Sequence, residues 1–418
     1  MALIGGMGYL LVTYLLFFIG PFVWPLSVWW PITIYVPLIF IVLAVGHMVG
    51  ASKQPSSAPL PAWPRILLIG GLSAVILLFP SARIYTGRWP WQVLQALADQ
   101  KDAYESLREQ LDATQGGRAP IVILRAFFAP FTFAVLPLGI LHWRKLTFFQ
   151  KTLLVATVIS TMTFSALRGT TRELADVLVV GSSAFLIGTI RNRSRGNWLS
   201  KNWGKVLIGI GLTMAVFGAL IGRTQARLGA GAETVCIGSG YVCPDYFSPP
   251  YGKMPDSVAY GMGTLTGYLS QGYYGLGLAM QEPFIFIGGI GHSSALLGIY
   301  TAVSGSDEPS RSTYTYRLRR EGWSDEYQWS TMLPWLANDV SFWGVPLLMF
   351  VLGLAWGKSW RDATDGNDDR AAIFFCIIMM MIFYLPANNQ MMQTFDNYAT
   401  LVTWLFLWRG SRRRAASS

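Results

Sequence analysis

The densest set of charges beside apolar runs is Leu167-Arg-Gly-Thr-Thr-Arg-Glu-Leu-Ala-Asp176. Arg168 and Arg172 are four apart, a spacing that puts two side chains on one helix face. Thr170 and Thr171 add hydroxyl donors, and a helix starting here adds exposed N-terminal amides. Guanidiniums, hydroxyls and amides gathered in one place suit a diphosphate or another anion. Glu173 adds a carboxylate that could serve as an acid or base. The competing reading is local charge pairing, Arg168 with Glu173 and Arg172 with Asp176.

A second concentration runs from Arg223 to about Val340. Arg223, Arg227, Arg311, Arg317 and Arg320 are further candidates for a diphosphate. Between Tyr314 and Trp329 aromatic residues alternate with both signs of charge. Sugar rings stack their apolar faces on aromatic side chains, and their hydroxyls bond to charged and amide groups. Trp323, Tyr327 and Trp329, with Tyr268 and Tyr273 upstream, are the candidate sugar-binding rings. Aromatic clusters also occur at any membrane interface, so composition leaves both readings open. Asp339 follows Leu-Pro-Trp-Leu-Ala-Asn just before an apolar run; it is a candidate general base or sugar-hydroxyl ligand, or else a helix cap. His292, in Gly-Gly-Ile-Gly-His-Ser-Ser, could be the base instead, or a buried His bonded to backbone. Cys236 and Cys243 are expected to form a disulfide, and Cys376 to be a packing residue.

These residues must be held by membrane helices. Hydrophobic residues make up 52% of the 418, and charged residues only 13%. A water-soluble domain averages about 25% charged. This excludes a soluble enzyme, and the net charge of +10 does not signal nucleic acid, because the basic residues lie largely between apolar runs. Runs of about 20 residues suggest spans near 3–23, 29–50, 65–82, 119–141, 148–167, 171–190, 204–222, 341–360, 371–386 and 394–409. The expected fold is all-α, with about ten transmembrane helices, arranged as membrane helices over 1–222, a long loop over 223–340 and membrane helices over 341–418. Segments 257–281 and 283–306 carry no Asp, Glu, Lys or Arg. They are read as interfacial or re-entrant helices lining a polar cavity, or as two more spans, making twelve. Arg409, Arg412, Arg413 and Arg414, the basic segment 191–205, and Arg144, Lys145 and Lys151 then share one side. The positive-inside rule makes that side, and both termini, cytoplasmic. There is no Walker loop, Rossmann fingerprint, HExxH or GxSxG, and with only three His no metal site is expected.

Three segments together resemble the Wzy-type polymerases of bacterial O-antigen and capsule repeat units: Leu167-Arg-Gly-Thr-Thr-Arg-Glu-Leu; Tyr268-Leu-Ser-Gln-Gly-Tyr-Tyr-Gly-Leu-Gly-Leu-Ala with Gly289-Ile-Gly-His-Ser; and Trp329-Ser-Thr-Met-Leu-Pro-Trp-Leu-Ala-Asn-Asp. The family's Arg-x10-Gly pattern fits Arg227 to Gly238 and Arg311 to Gly322. The resemblance implies a fold of the multi-span glycosyltransferase (GT-C-like) type in a bacterial inner membrane. It implies transfer of a growing glycan from undecaprenyl diphosphate to a hydroxyl of a second lipid-linked repeat at the periplasmic face. No cofactor or metal is implied; arginines would neutralise the leaving diphosphate. Membrane lipid, a chain-length regulator and a flippase are the implied partners. The alternatives are an O-antigen ligase, which transfers finished glycan to lipid A core, and a lipid or solute transporter, whose usual two-fold internal repeat is not visible here.

Overall fold

The protein is described by a computed structural model covering residues 1–57, 60–113, 118–191, 236–237 and 242–417, with Gly218 and Gly222. The expected span at 204–222 otherwise lies outside the described residues, as do Arg223 and Arg227. The principal helices are α1 (Ala2–Ile19), α2 (Val36–Ala51), α3 (Trp63–Thr86), α4 (Val93–Ala98), α5 (Gln100–Ala113), α6 (Ala119–Leu141), α7 (Phe148–Leu167) and α8 (Arg172–Arg191). They continue with α9 (Asp256–Ala279), α10 (Ser294–Ser304), α11 (Leu333–Thr364), α12 (Asp369–Tyr384) and α13 (Phe395–Ser417). Among the described residues β structure is limited to two isolated bridges, Phe22 with Pro244 and Ile237 with Val242. Among the described residues six helical segments are long and apolar enough to cross a membrane: α1, Pro31–Ala51 containing α2, α3, α6, α8 and α11. Helices also occupy the expected spans at 148–167, 371–386 and 394–409.

Local chemistry sets several helix ends. Thr147 and Gln150 form a reciprocal capping box at the start of α7, satisfying two amides that have no helical partner. Gly87, at φ 67°, closes α3 in the left-handed conformation, which glycine adopts without a Cβ clash. Ser293 caps α10 through the Leu296 amide, and Gly305 ends it at φ 72°.

The chain forms two compact units that do not follow its linear division. The first comprises 1–54, 231–358 and 378–398. Here α2 and α11 meet along a reciprocal glycine seam. A Cβ added at Gly46 or Gly50 would overlap the carbonyls of Phe350 or Leu354. One added at Gly353 or Gly357 would overlap those of Leu43 or His47. Small residues let helix backbones touch and gain dispersion contacts that bulkier side chains would prevent. His47 lies in this seam, its ring 4.3 Å from that of Trp356.

Two expectations for this unit are corrected. Segment 257–281 lies almost wholly within one helix and does not line a polar cavity along its length: α9 is one continuous 24-residue helix, about 36 Å long at 1.5 Å per residue. From Ser270 to Gly277 it is buried all round. Its polar residues turn inward, with the Ser270 hydroxyl on the Thr266 carbonyl (2.7 Å) and the Tyr273 hydroxyl 3.0 Å from that of Thr13. Segment 283–306 contains only the 11-residue α10, about 16 Å long and too short to cross a bilayer as a helix. The twelve-span alternative therefore lacks its second added span.

The second unit comprises 55–230, 359–377 and 399–418. Helices α3, α6, α7 and α8 form its frame. Gly70 rests on the Phe131 backbone, and Gly71 and Gly139 on Leu153 and Leu154. Large apolar residues such as Ile76, Ile123 and Phe127 point outward, as in helices solvated by lipid. Asp362, Asp368 and Asp369 are buried and fully engaged. Asp362 accepts from the Ser56 amide (2.7 Å) and Trp408 indole (2.8 Å) and pairs with Arg412. Asp368 accepts from Ser411 (2.8 Å), while Asp369 bridges His142 and Arg191, each at 2.9 Å.

Candidate functional site

In the first unit, the two residues read separately as candidate bases are partners. The Asp339 carboxylate accepts the Gly291 amide (3.0 Å) on Oδ1, and the His292 amide (2.8 Å) on Oδ2. Oδ2 also lies 2.8 Å from His292 Nδ1. An ionised carboxylate only accepts, so Nδ1 carries a proton, and it is Nε2 that presents a lone pair whenever the ring is neutral. Nε2 stands 3.4 Å from the Tyr398 hydroxyl. The surrounding loop is tied down by amides. Asn338 donates to the Gly291 carbonyl (2.9 Å) and accepts the Tyr314 amide (2.9 Å). Asn389 donates to the His292 carbonyl (2.8 Å). Gly288 and Gly289, at φ +67° and +78°, make the turn that brings the loop there.

Asp339 does not cap the following helix through its side chain; both oxygens serve the Gly291–His292 segment. Two residues later the helix is interrupted at Ser341, with φ 57° and ψ 168°. A non-glycine residue in that region stores strain of about 1–3 kcal/mol. The His292 side chain is 24% exposed and that of Asp339 11%, so the imidazole is reachable while its carboxylate partner is sheltered.

The other candidates in this unit divide by burial. Tyr273 and Trp323 are core residues, 1% and 2% exposed, with the Trp323 indole donating to the Trp329 carbonyl (2.9 Å). Neither offers a ring face to a sugar, which corrects their assignment. Tyr268 and Trp329 pack edge to face at 4.2 Å, and Tyr327 is exposed. These three keep accessible surface. Arg317 and Arg320 both pair with Glu282 at 2.9 Å. Burial pulls the Arg317 guanidinium below its ordinary pKa, and Glu282 opposes the shift. Arg311 is exposed and pairs with Asp307 at 2.8 Å. The structure joins Cys236 to Cys243 and buries the Cys376 thiol.

In the second unit the Arg168 hairpin makes both local ion pairs. Arg168 pairs with Glu173, and Arg172 lies 3.5 Å from Asp176. Thr170 donates to the other Glu173 oxygen (2.9 Å), and Ser165 donates to the Thr170 carbonyl (2.7 Å). Glu173 is thus held by an arginine and a hydroxyl, and it supports the turn instead of facing a substrate. Gly169, at φ +61°, lets the turn approach α5: an added Cβ would stand 2.8 Å from the Gln100 carbonyl. Burial lowers the pKa of Arg168, with Glu173 opposing and Arg172 and Arg125 adding to it.

Arg125 is absent from the sequence-based candidates. It sits two turns into α6, and its guanidinium lies 4.9 Å from the Phe164 ring centre. The signal was a charge inside an apolar run. Glu282 also had a signal, as the lone charge between two uncharged stretches. Asn338, Asn389 and Tyr398 had none, because their roles depend on contacts across 24 to 106 residues.

No family model, curated protein or solved structure matches the chain. Among the described residues, no three His, Cys, Asp or Glu are grouped as metal ligands. The chemistry this geometry offers is proton transfer at His292 and anion binding at arginine.

Proposed function

We propose that this chain is a membrane glycosyltransferase that polymerises undecaprenyl-diphosphate-linked oligosaccharide repeats at the periplasmic face of a bacterial inner membrane. The observation that carries this reading is the Asp339–His292 pair. In the proposed reaction, His292 Nε2 takes the proton of an acceptor sugar hydroxyl. That oxygen bonds to the donor's anomeric carbon while the bond to the diphosphate oxygen breaks, and its electron pair leaves with undecaprenyl diphosphate. Asp339 stabilises the imidazolium and holds its orientation, as the acid of a catalytic triad does. Tyr268, Tyr327 and Trp329 are the rings assigned to sugar. Arg168 and Arg172 are assigned to a diphosphate, and both termini to the cytoplasm. The fold would then be of the multi-span glycosyltransferase type.

A ligase would use the same chemistry with a lipid A acceptor. Transport has one observation in its favour, the helix break at Ser341, because discontinuous helices line transporter sites. Glycan analysis of cells lacking the gene separates the three. Single repeats attached to core identify the polymerase. Unattached polymer identifies a ligase, and repeats confined to the cytoplasmic leaflet identify a transporter.

A further inference from the structure

The His292 nitrogen that takes the proton in the proposed reaction has a polar neighbour from a third element. The Tyr398 hydroxyl, in the first turn of α13, stands 3.4 Å from Nε2. On the other edge of the ring Nδ1 is held by Asp339 at 2.8 Å. The imidazole is therefore flanked by α11 on one side and α13 on the other, all within the first unit. The rings of His292 and Tyr398 lie 6.1 Å apart at 42°. They do not stack; they approach through their polar tips.

Several hydrogen bonds fix that approach. Asn389 donates to the His292 carbonyl (2.8 Å), Ser293 to the Met392 carbonyl (2.6 Å) and Ser294 to the Gln393 carbonyl (2.8 Å). Asn397 donates to the Gln390 carbonyl (3.0 Å), which ties the start of α13 to the same segment. Ordinary hydrogen bonds close to about 2.7–3.2 Å. At 3.4 Å the Tyr398 hydroxyl stands beside the Nε2 lone pair without saturating it. Both side chains keep accessible surface. The two groups also differ in what they offer a ligand: neutral Nε2 only accepts, while a phenol donates. A sugar hydroxyl matches that pair, because its proton can go to Nε2 while its oxygen accepts from Tyr398.

We propose that Tyr398 orients the acceptor hydroxyl: it donates to the attacking oxygen, turns that oxygen's proton toward His292 Nε2 and leaves the remaining lone pair for the donor's anomeric carbon. This deepens the glycosyltransferase reading and rests on it for the identity of the acceptor. Tyr398 keeps its own proton throughout. The acceptor's proton goes to Nε2, and the electron pair of the broken bond leaves with the diphosphate. Holding one hydroxyl in one orientation replaces a search among rotamers by a near-attack geometry. Phenylalanine at this position keeps the ring and loses the donor alone.

The test is Tyr398→Phe in the purified full chain, reconstituted in liposomes with an undecaprenyl-diphosphate-linked repeat unit. KM for the repeat should rise and kcat/KM should fall about tenfold, as for loss of one hydrogen bond, with the thermal midpoint unchanged. Tyr300→Phe, an exposed tyrosine of α10, should turn over as wild type. A second readout needs no substrate. The chain has three histidines, so isotope-labelled histidine gives few imidazole signals by NMR in detergent, and His292→Ala assigns one of them. The Nε2 signal should move in Tyr398→Phe, and an unmoved signal would overturn the contact. A merely structural tyrosine would lower the active fraction, so a fall in kcat at unchanged KM would overturn the orienting role. Normal kcat/KM for Tyr398→Phe with His292→Ala inactive would remove Tyr398 and leave the base standing. Normal values for both variants would remove both. Folded, inserted wild-type protein that makes no polymer would overturn the glycosyltransferase reading itself, and this assignment with it.

Discussion

Asp339 receives three N–H donors on two oxygens, and each donor comes from the Gly291–His292 segment. In the proposed reaction its work is to fix one imidazole tautomer and to stabilise the imidazolium formed when Nε2 takes a proton. His292→Ala should therefore lower polymerisation by about 10²–10⁴ while the chain still inserts and purifies. Asp339→Asn should fall in the same range, because the amide stabilises a neutral ring but not a charged one. Initial rates below saturation decide this; near-normal rates for both variants would reduce the pair to a structural contact. Glu173→Gln should behave differently. It leaves the largely buried Arg168 without its carboxylate, a change that costs about 3–5 kcal/mol for a buried pair, so the first effect should be a lower midpoint of thermal unfolding in detergent. Equal stability of Glu173→Gln and wild type would contradict the structural role. Residue types in the sequence pointed to Asp339, His292 and the Arg168 hairpin. The sequence did not show that Asp339 and His292 are in contact, nor that Glu282 engages both Arg317 and Arg320, because these contacts join residues 35 to 47 apart.

At the scale of elements, the helices were legible wherever an apolar run ended at a charge or a turn residue. The 119–141 and 148–167 spans coincide with α6 and α7. Segment 257–306 was not legible. From Ser270 to Gly277 burial of α9 is decided by neighbours on every side, so the alternation of Leu and Tyr there marked no solvent boundary. The α2–α11 seam was written in the sequence as Gly46-x-x-x-Gly50 and Gly353-x-x-x-Gly357, but a small-residue pair specifies a contact only once its partner is known. Gly353→Ala should push α2 and α11 apart and destabilise by about 1–3 kcal/mol. Gly8→Ala, with open space around its added methyl, should be neutral or gain up to about 1 kcal/mol of helix propensity. Thermal midpoints in one detergent check the pair, and a stability ranking with Gly353→Ala above Gly8→Ala would refute the seam.

For the whole molecule, composition was sufficient to indicate a helical chain with membrane-crossing elements, while the grouping of residues 1–54 with 231–358 could not be read from linear order. The proposed orientation rests on Lys and Arg placement: reporter fusions at Ser418 and near Asp307 should give opposite signals, with Ser418 cytoplasmic, and matching signals would overturn the topology. The central claim is that the chain itself joins lipid-linked repeats, and the most direct measurement is reconstitution. Purified protein in liposomes is supplied with one undecaprenyl-diphosphate-linked repeat unit, with no other protein present, and the products are resolved by size. The account predicts a ladder of glycans differing by one repeat, release of undecaprenyl diphosphate in step with each bond formed, and loss of both with His292→Ala. Substrate that stays monomeric in the presence of folded, correctly inserted protein would contradict it.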